Sequence, residues 1–106
     1  MLFKKKKKKF MVIGLDGVPV ELIKAYTEQG VMPNMKRLVE KYSLLKTQVP
    51  VPEVSSVSWT SFMTGMNPGM HGIYGFMEIN RDNYSYTFPS FRTLPVKTMW
   101  EELGDK

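Results

Sequence analysis

The stretch PVPEVSSVSWTSFMTGMNPGMHGIYGF, residues 50–76, decides how the chain is read: an extended approach, a helix and a rigid loop in succession. Pro50 and Pro52 each fix their own φ and disfavour the α conformation at the residue before them, so no helix is expected before Glu53. Ser55 and Ser56 then offer N-cap hydroxyls to a compact run, residues 57–63, which Gly65 can end in a left-handed conformation. A hydroxyl at that place sits where unpaired N–H groups and the positive end of the helix dipole converge. Such a position favours an anion, either a phosphate group or a deprotonated serine oxygen. Serines before helices are ordinarily caps and nothing more. The spacing therefore permits a nucleophile and leaves the cap as the standing alternative.

Working outward, FMVIGL at residues 10–15 is an unbroken apolar run bounded by charge, the pattern of a strand buried on both faces of a parallel sheet. It ends at Asp16-Gly17. A carboxylate at the C-terminal end of such a strand lies where open α/β sheets collect ligands, and a turn or capping role is the alternative. Pro19 can open a helix with Leu22, Ile23 and Tyr26 on one side and Gly30 as its stop; Pro33 can open another with Met35, Leu38, Val39 and Tyr42 as its core face. Residues 43–51 read as extended. The order strand, helix pair, strand, helix favours a parallel α/β layer.

Beyond Gly65, Asn67-Pro68-Gly69 signals a turn. The single histidine, His71, has no second histidine near it in sequence, and a hydrogen-bonded structural role is its ordinary reading. Tyr84, Tyr86, Phe88 and Phe91 are expected in a hairpin or loop packed on the sheet, with base stacking as the alternative. Residues 98–103 start a further helix.

Composition bounds the function. A length of 106 residues allows one domain at most, with a modest core. The formal charge of +5 comes from one place: Lys4, Lys5, Lys6, Lys7, Lys8 and Lys9 run consecutively, and without them nine basic residues face 10 acidic ones. Residues 1–9 are thus expected to be a basic, disordered tail, with polyanion or nucleic-acid contact by Lys4 to Lys9 as the other reading. The absence of cysteine excludes disulfides and thiolate metal sites, so any metal must take oxygen or imidazole ligands. No apolar run reaches the roughly 18 residues needed to span a membrane. A cytoplasmic location is the default expectation.

Two separated motifs then coincide. VIGLDG at residues 12–17, followed by VSSVSWTSFMTGMNPGMHGI at residues 54–73, resembles the N-terminal part of the type I phosphodiesterase / nucleotide pyrophosphatase family of the alkaline phosphatase superfamily. The likeness runs on through the closing MWEELG. It implies a three-layer α/β/α fold with a mostly parallel sheet, incomplete here, over residues 10–106. It implies that Asp16 binds one of two metal ions, ordinarily zinc. Ser55 matches the family's nucleophile, which is metal-bound, attacks phosphorus in line and forms a covalent intermediate that water releases. His71 falls in a family loop that supplies no metal ligand.

Departures from the family pattern matter too. Val57 stands where the family commonly has proline, which keeps Ser56 as a second candidate nucleophile, and Phe76 replaces an asparagine that nucleotide-cleaving members carry, which points away from a nucleotide. The remaining ligands of the family lie farther along a longer chain, and one histidine cannot complete two zinc sites. The expectation is a metal-dependent phosphoric-ester hydrolase present as an N-terminal fragment or truncated homologue, inactive by itself and inclined to self-associate through an incomplete sheet. A small non-catalytic binding domain with a polyanion-binding lysine tail is the alternative.

Overall fold

The computed structural model describes residues 10–104. The basic tail expected over residues 1–9, with its Lys4 to Lys9 contact, lies outside them. The chain divides into two compact units, Met1–Lys46 and Thr47–Lys106.

In the first unit, two helices form as their sequences direct. Helix α1, Val20–Glu28, follows an extended Pro19 (ψ 148°), and Gly30 beyond its end adopts φ +74°. Helix α2, Pro33–Lys41, has its proline at the first helical position, where the missing N–H costs nothing. The two helices pack on one another. Thr27 is buried, and its hydroxyl donates to the Lys24 carbonyl at 2.8 Å, which satisfies it locally. Lys46 reaches back to Glu21 at 3.0 Å in an exposed ion pair of small energetic consequence.

Two expectations are corrected here. Residues 10–15 form no regular element and join no sheet among the described residues, and Phe10 is 83% exposed. Nor is the apolar face of α2 a core: Leu38 and Tyr42 are exposed and Met35 and Val39 only half-buried. Both have one cause. A doubly buried parallel strand needs partner strands at its edges and helices on both faces, and the described residues supply neither.

The second unit holds the buried core. Its residues 47–54 lead without regular structure into α3, Ser55–Thr64, which Gly65 ends at φ +66°, as the sequence indicates. A short helix α4, Pro68–His71, replaces the simple turn expected at Asn67-Pro68-Gly69: the Asn67 side chain accepts from Met70 N–H at 3.1 Å and caps it. Strands β1, Glu78–Ile79, and β2, Tyr86–Thr87, pair antiparallel, Glu78 opposite Thr87 and Ile79 opposite Tyr86. Asn80 and Asn83 turn the connecting loop by accepting backbone N–H groups two residues on. A 3-10 turn, Phe91–Thr93, and α5, Met99–Gly104, complete the unit. Thr98 donates both its N–H and its hydroxyl to Glu101 at 2.7 Å, a carboxylate brace that also holds Glu101 below its ordinary pKa.

The only sheet among the described residues is this two-stranded hairpin, so a mixture of helices and short antiparallel strands stands where a parallel sheet was expected. The aromatic residues of the hairpin region are not packed on a sheet either; Tyr84, Tyr86, Phe88 and Phe91 are all exposed.

Apolar burial concentrates at Val57 and Ile73. Because Val57 is 0% exposed, Val57→Ala should destabilise the second unit by about 2 kcal/mol, from lost transfer energy and an unfilled cavity. Phe88→Ala, at a side chain 73% exposed, should change stability by less than about 0.5 kcal/mol. Urea denaturation of the two variants checks the contrast.

Candidate functional site

The site begins with how α3 starts. The approach bends at residues 51 and 52, where the peptide is cis, the Val54 N–H donates to the Pro52 carbonyl at 2.9 Å, and Val54 is the last non-helical residue, at φ −123° and ψ 141°. Ser58 N–H makes the first bond of the helix, to the Val54 carbonyl at 2.9 Å. The N–H groups of Ser56 and Val57 precede that bond and have no acceptor within the helix. Val54 occupies the cap position, with no side-chain cap bond, so neither serine is the N-cap that the sequence suggested. Ser55 is instead the first helical residue and Ser56 the second.

Both serines are half-buried. Ser55 carries an interaction of its own. Ser56 Oγ is closed to solvent and has no hydrogen-bond partner among the described residues. Its carbonyl is engaged by Thr60 Oγ1, which donates at 2.7 Å one turn on. A sealed oxygen cannot meet a substrate without rearrangement of the helix start, which bears on Ser56, the second candidate from sequence.

Asp16 lies in a turn with Gly17, whose φ is +66°, directly after residues 10–15 of the first unit. It is exposed and has an interaction partner. Asp16 and Ser55 fall in different units. Among the described residues, no group of three or more His, Asp or Glu side chains could hold a metal ion. A catalytic zinc site takes three protein ligands, so the described residues do not by themselves fit the two-metal centre expected from sequence.

His71 is structural. It is 0% exposed, and its Nδ1 accepts from Ile73 N–H at 3.1 Å. That bond requires a lone pair on Nδ1, so in the neutral ring the proton sits on Nε2, which donates to Ser61 Oγ at 2.9 Å. Burial holds the imidazole below its ordinary pKa of 6.5, which keeps the ring neutral near pH 7. The ring thereby ties the loop after α4 to the middle of α3. Sequence reading missed Ser61 as its partner. The two residues stand ten apart across the Gly65 turn, and no local signal gives the distance between them.

On one face of α3, Ser56, Trp59, Thr60 and Met63 line a hollow of about 350 Å³, closed on other sides by residues that include Ile73 and Phe91. Trp59 meets Phe62 edge to face at 6.1 Å between ring centroids.

Compared with known families, residues 10–103 match the model for type I phosphodiesterase / nucleotide pyrophosphatase. Comparison with curated proteins and with solved structures found no match. No helix among the described residues is long and apolar enough to cross a membrane.

Ser61→Ala leaves the buried Nε2–H without its acceptor. The variant should lose about 1–3 kcal/mol of stability, read as a lowered urea midpoint at pH 7.5.

Proposed function

The chain belongs to the type I phosphodiesterase / nucleotide pyrophosphatase family, and from that premise we propose that it carries the nucleophile of a phosphoric-ester hydrolase, with Ser55 in that role. The observation that carries the reading is the position of Ser55 as the first residue of α3, the place that matches the family's nucleophile, beside a Ser56 Oγ that is sealed from solvent. In the reaction, Ser55 Oγ attacks phosphorus and gives up its proton as the bond to the ester oxygen breaks and the alcohol departs. Water then attacks the phosphoseryl group, returning the serine hydroxyl and releasing the phosphate product. The unpaired N–H groups at the start of α3 favour the negative charge on the phosphoryl oxygens at both steps.

The substrate class is a phosphodiester or phosphomonoester, and Phe76 argues against a nucleotide. A three-layer α/β/α fold with a parallel sheet goes with this reading, its sheet partners coming from outside residues 10–104. Metal dependence goes with it as well. Asp16 and Ser55 are two oxygen ligands for a pair of divalent ions, zinc by expectation, with the rest of the ligand set outside the described residues. The exposed apolar run 10–15 invites association with strands of the same kind. The absence of cysteine suits a cytoplasmic setting.

Two measurements test the proposal. In the enzyme that carries the full ligand set, since these residues are expected to be inactive by themselves, Ser55→Ala should lower phosphoric-ester hydrolysis by on the order of 10³-fold or more with the circular dichroism spectrum unchanged, while Ser56→Ala keeps activity near that of the parent. Retained hydrolysis in Ser55→Ala rules the role out. Dialysis of that enzyme against a chelator should abolish activity and added zinc restore it; full activity after chelation removes the metal from the account.

A further inference from the structure

His71 makes two bonds, and only the neutral ring can make both. Its Nδ1 lone pair accepts the Ile73 N–H at 3.1 Å, and its Nε2–H reaches Ser61 Oγ at 2.9 Å, inside a site where the side chain is fully buried. Protonation puts a hydrogen on Nδ1, which then faces the Ile73 N–H donor to donor. The ring has no exposed surface through which bulk solvent could relieve that contact. Gly72 sits between His71 and Ile73 in the left-handed region, at φ +76°.

We propose that His71 is a proton-sensitive latch: the neutral ring holds the turn at Gly72 and Ile73 against α3, and the protonated ring releases it. Ile73 is also part of the wall of the hollow beside α3, so release opens that hollow on the side facing the loop. The latch is separate from the proposed nucleophile and operates whether or not Ser55 has that role.

Other charges do not set the response. Neither α3 nor α4 contains another titratable side chain, and none of the residues lining the hollow is titratable. Tyr74, next to Ile73 in the chain, is exposed. Desolvation alone depresses the imidazole pKa in the folded chain. A base with a folded pKa below its unfolded value of 6.5 contributes stability that is fully present above pH 6.5 and is lost as the pH falls through the folded pKa. The latch is therefore closed at neutral pH and opens on acidification.

His71 is the only histidine in the sequence, so its ring nitrogens can be followed without ambiguity in the full ¹⁵N-labelled chain. Titration from pH 7.5 to 5 by NMR should show the Nε2–H tautomer at the start, then ring protonation at a pH below 6.5. The Ile73 amide protection factor should fall in the same step, by about tenfold for each unit of pKa depression. In His71→Phe, which fills the space without either bond, the acid step should vanish. If that variant does not fold, the titration of the parent chain decides. An Nδ1–H tautomer at pH 7.5, an unprotected Ile73 amide there, or protection that persists after the ring is protonated would each overturn the proposal.

Discussion

The bond pair at His71 is the constraint on which the second unit depends. Helix α3 and the loop that follows it are linked by one buried side chain whose two nitrogens have opposite roles, and the apolar burial is confined to its neighbourhood, at Val57 and Ile73. A core this small cannot tolerate an unsatisfied polar group cheaply. The neutral ring is thus a structural requirement, and burial keeps it neutral. The C-terminal turn of α3 at Gly65 and the Asn67 cap of α4 then follow from where the chain must reverse to bring residue 71 back to residue 61.

The start of the same helix carries the functional reading. The approach ending at Val54 places Ser55 and Ser56 in the first turn, Ser56 with its hydroxyl shut away. Backbone N–H groups without helical partners converge there, which is the environment an anionic phosphoryl group needs. Membership of the phosphodiesterase family gives that environment a chemistry. Among the described residues no group of three or more His, Asp or Glu side chains could hold a metal ion, so the proposed site needs ligands from beyond them.

Local structure was legible where local rules decide it. Pro33 at the first position of α2, Gly30 after α1 and Gly65 after α3 punctuate the chain as read from sequence. The structural role of His71 was legible from its isolation in the sequence, but not its partner, because the contact with Ser61 is made across a chain reversal. The cap at Ser55 was misplaced by one residue, since a Val54 already fixed in the β region by its surroundings takes the cap position without contributing a side-chain acceptor. Residues 10–15 were expected as a buried parallel strand, and among the described residues they join no sheet and are exposed. Apolarity records that a segment can be buried and carries no information on which chain segment buries it.

The central claim is that Ser55 becomes covalently phosphorylated, and trapping that intermediate tests it most directly. The enzyme that carries the full ligand set would be incubated with a phosphoric-ester substrate, quenched in acid during turnover and mapped by peptide mass spectrometry. The account predicts one phosphoryl group on the peptide spanning residues 47–81, located at Ser55 and absent from Ser56. Turnover accompanied by a phosphoryl group at Ser56, or at any other residue in place of Ser55, would contradict it.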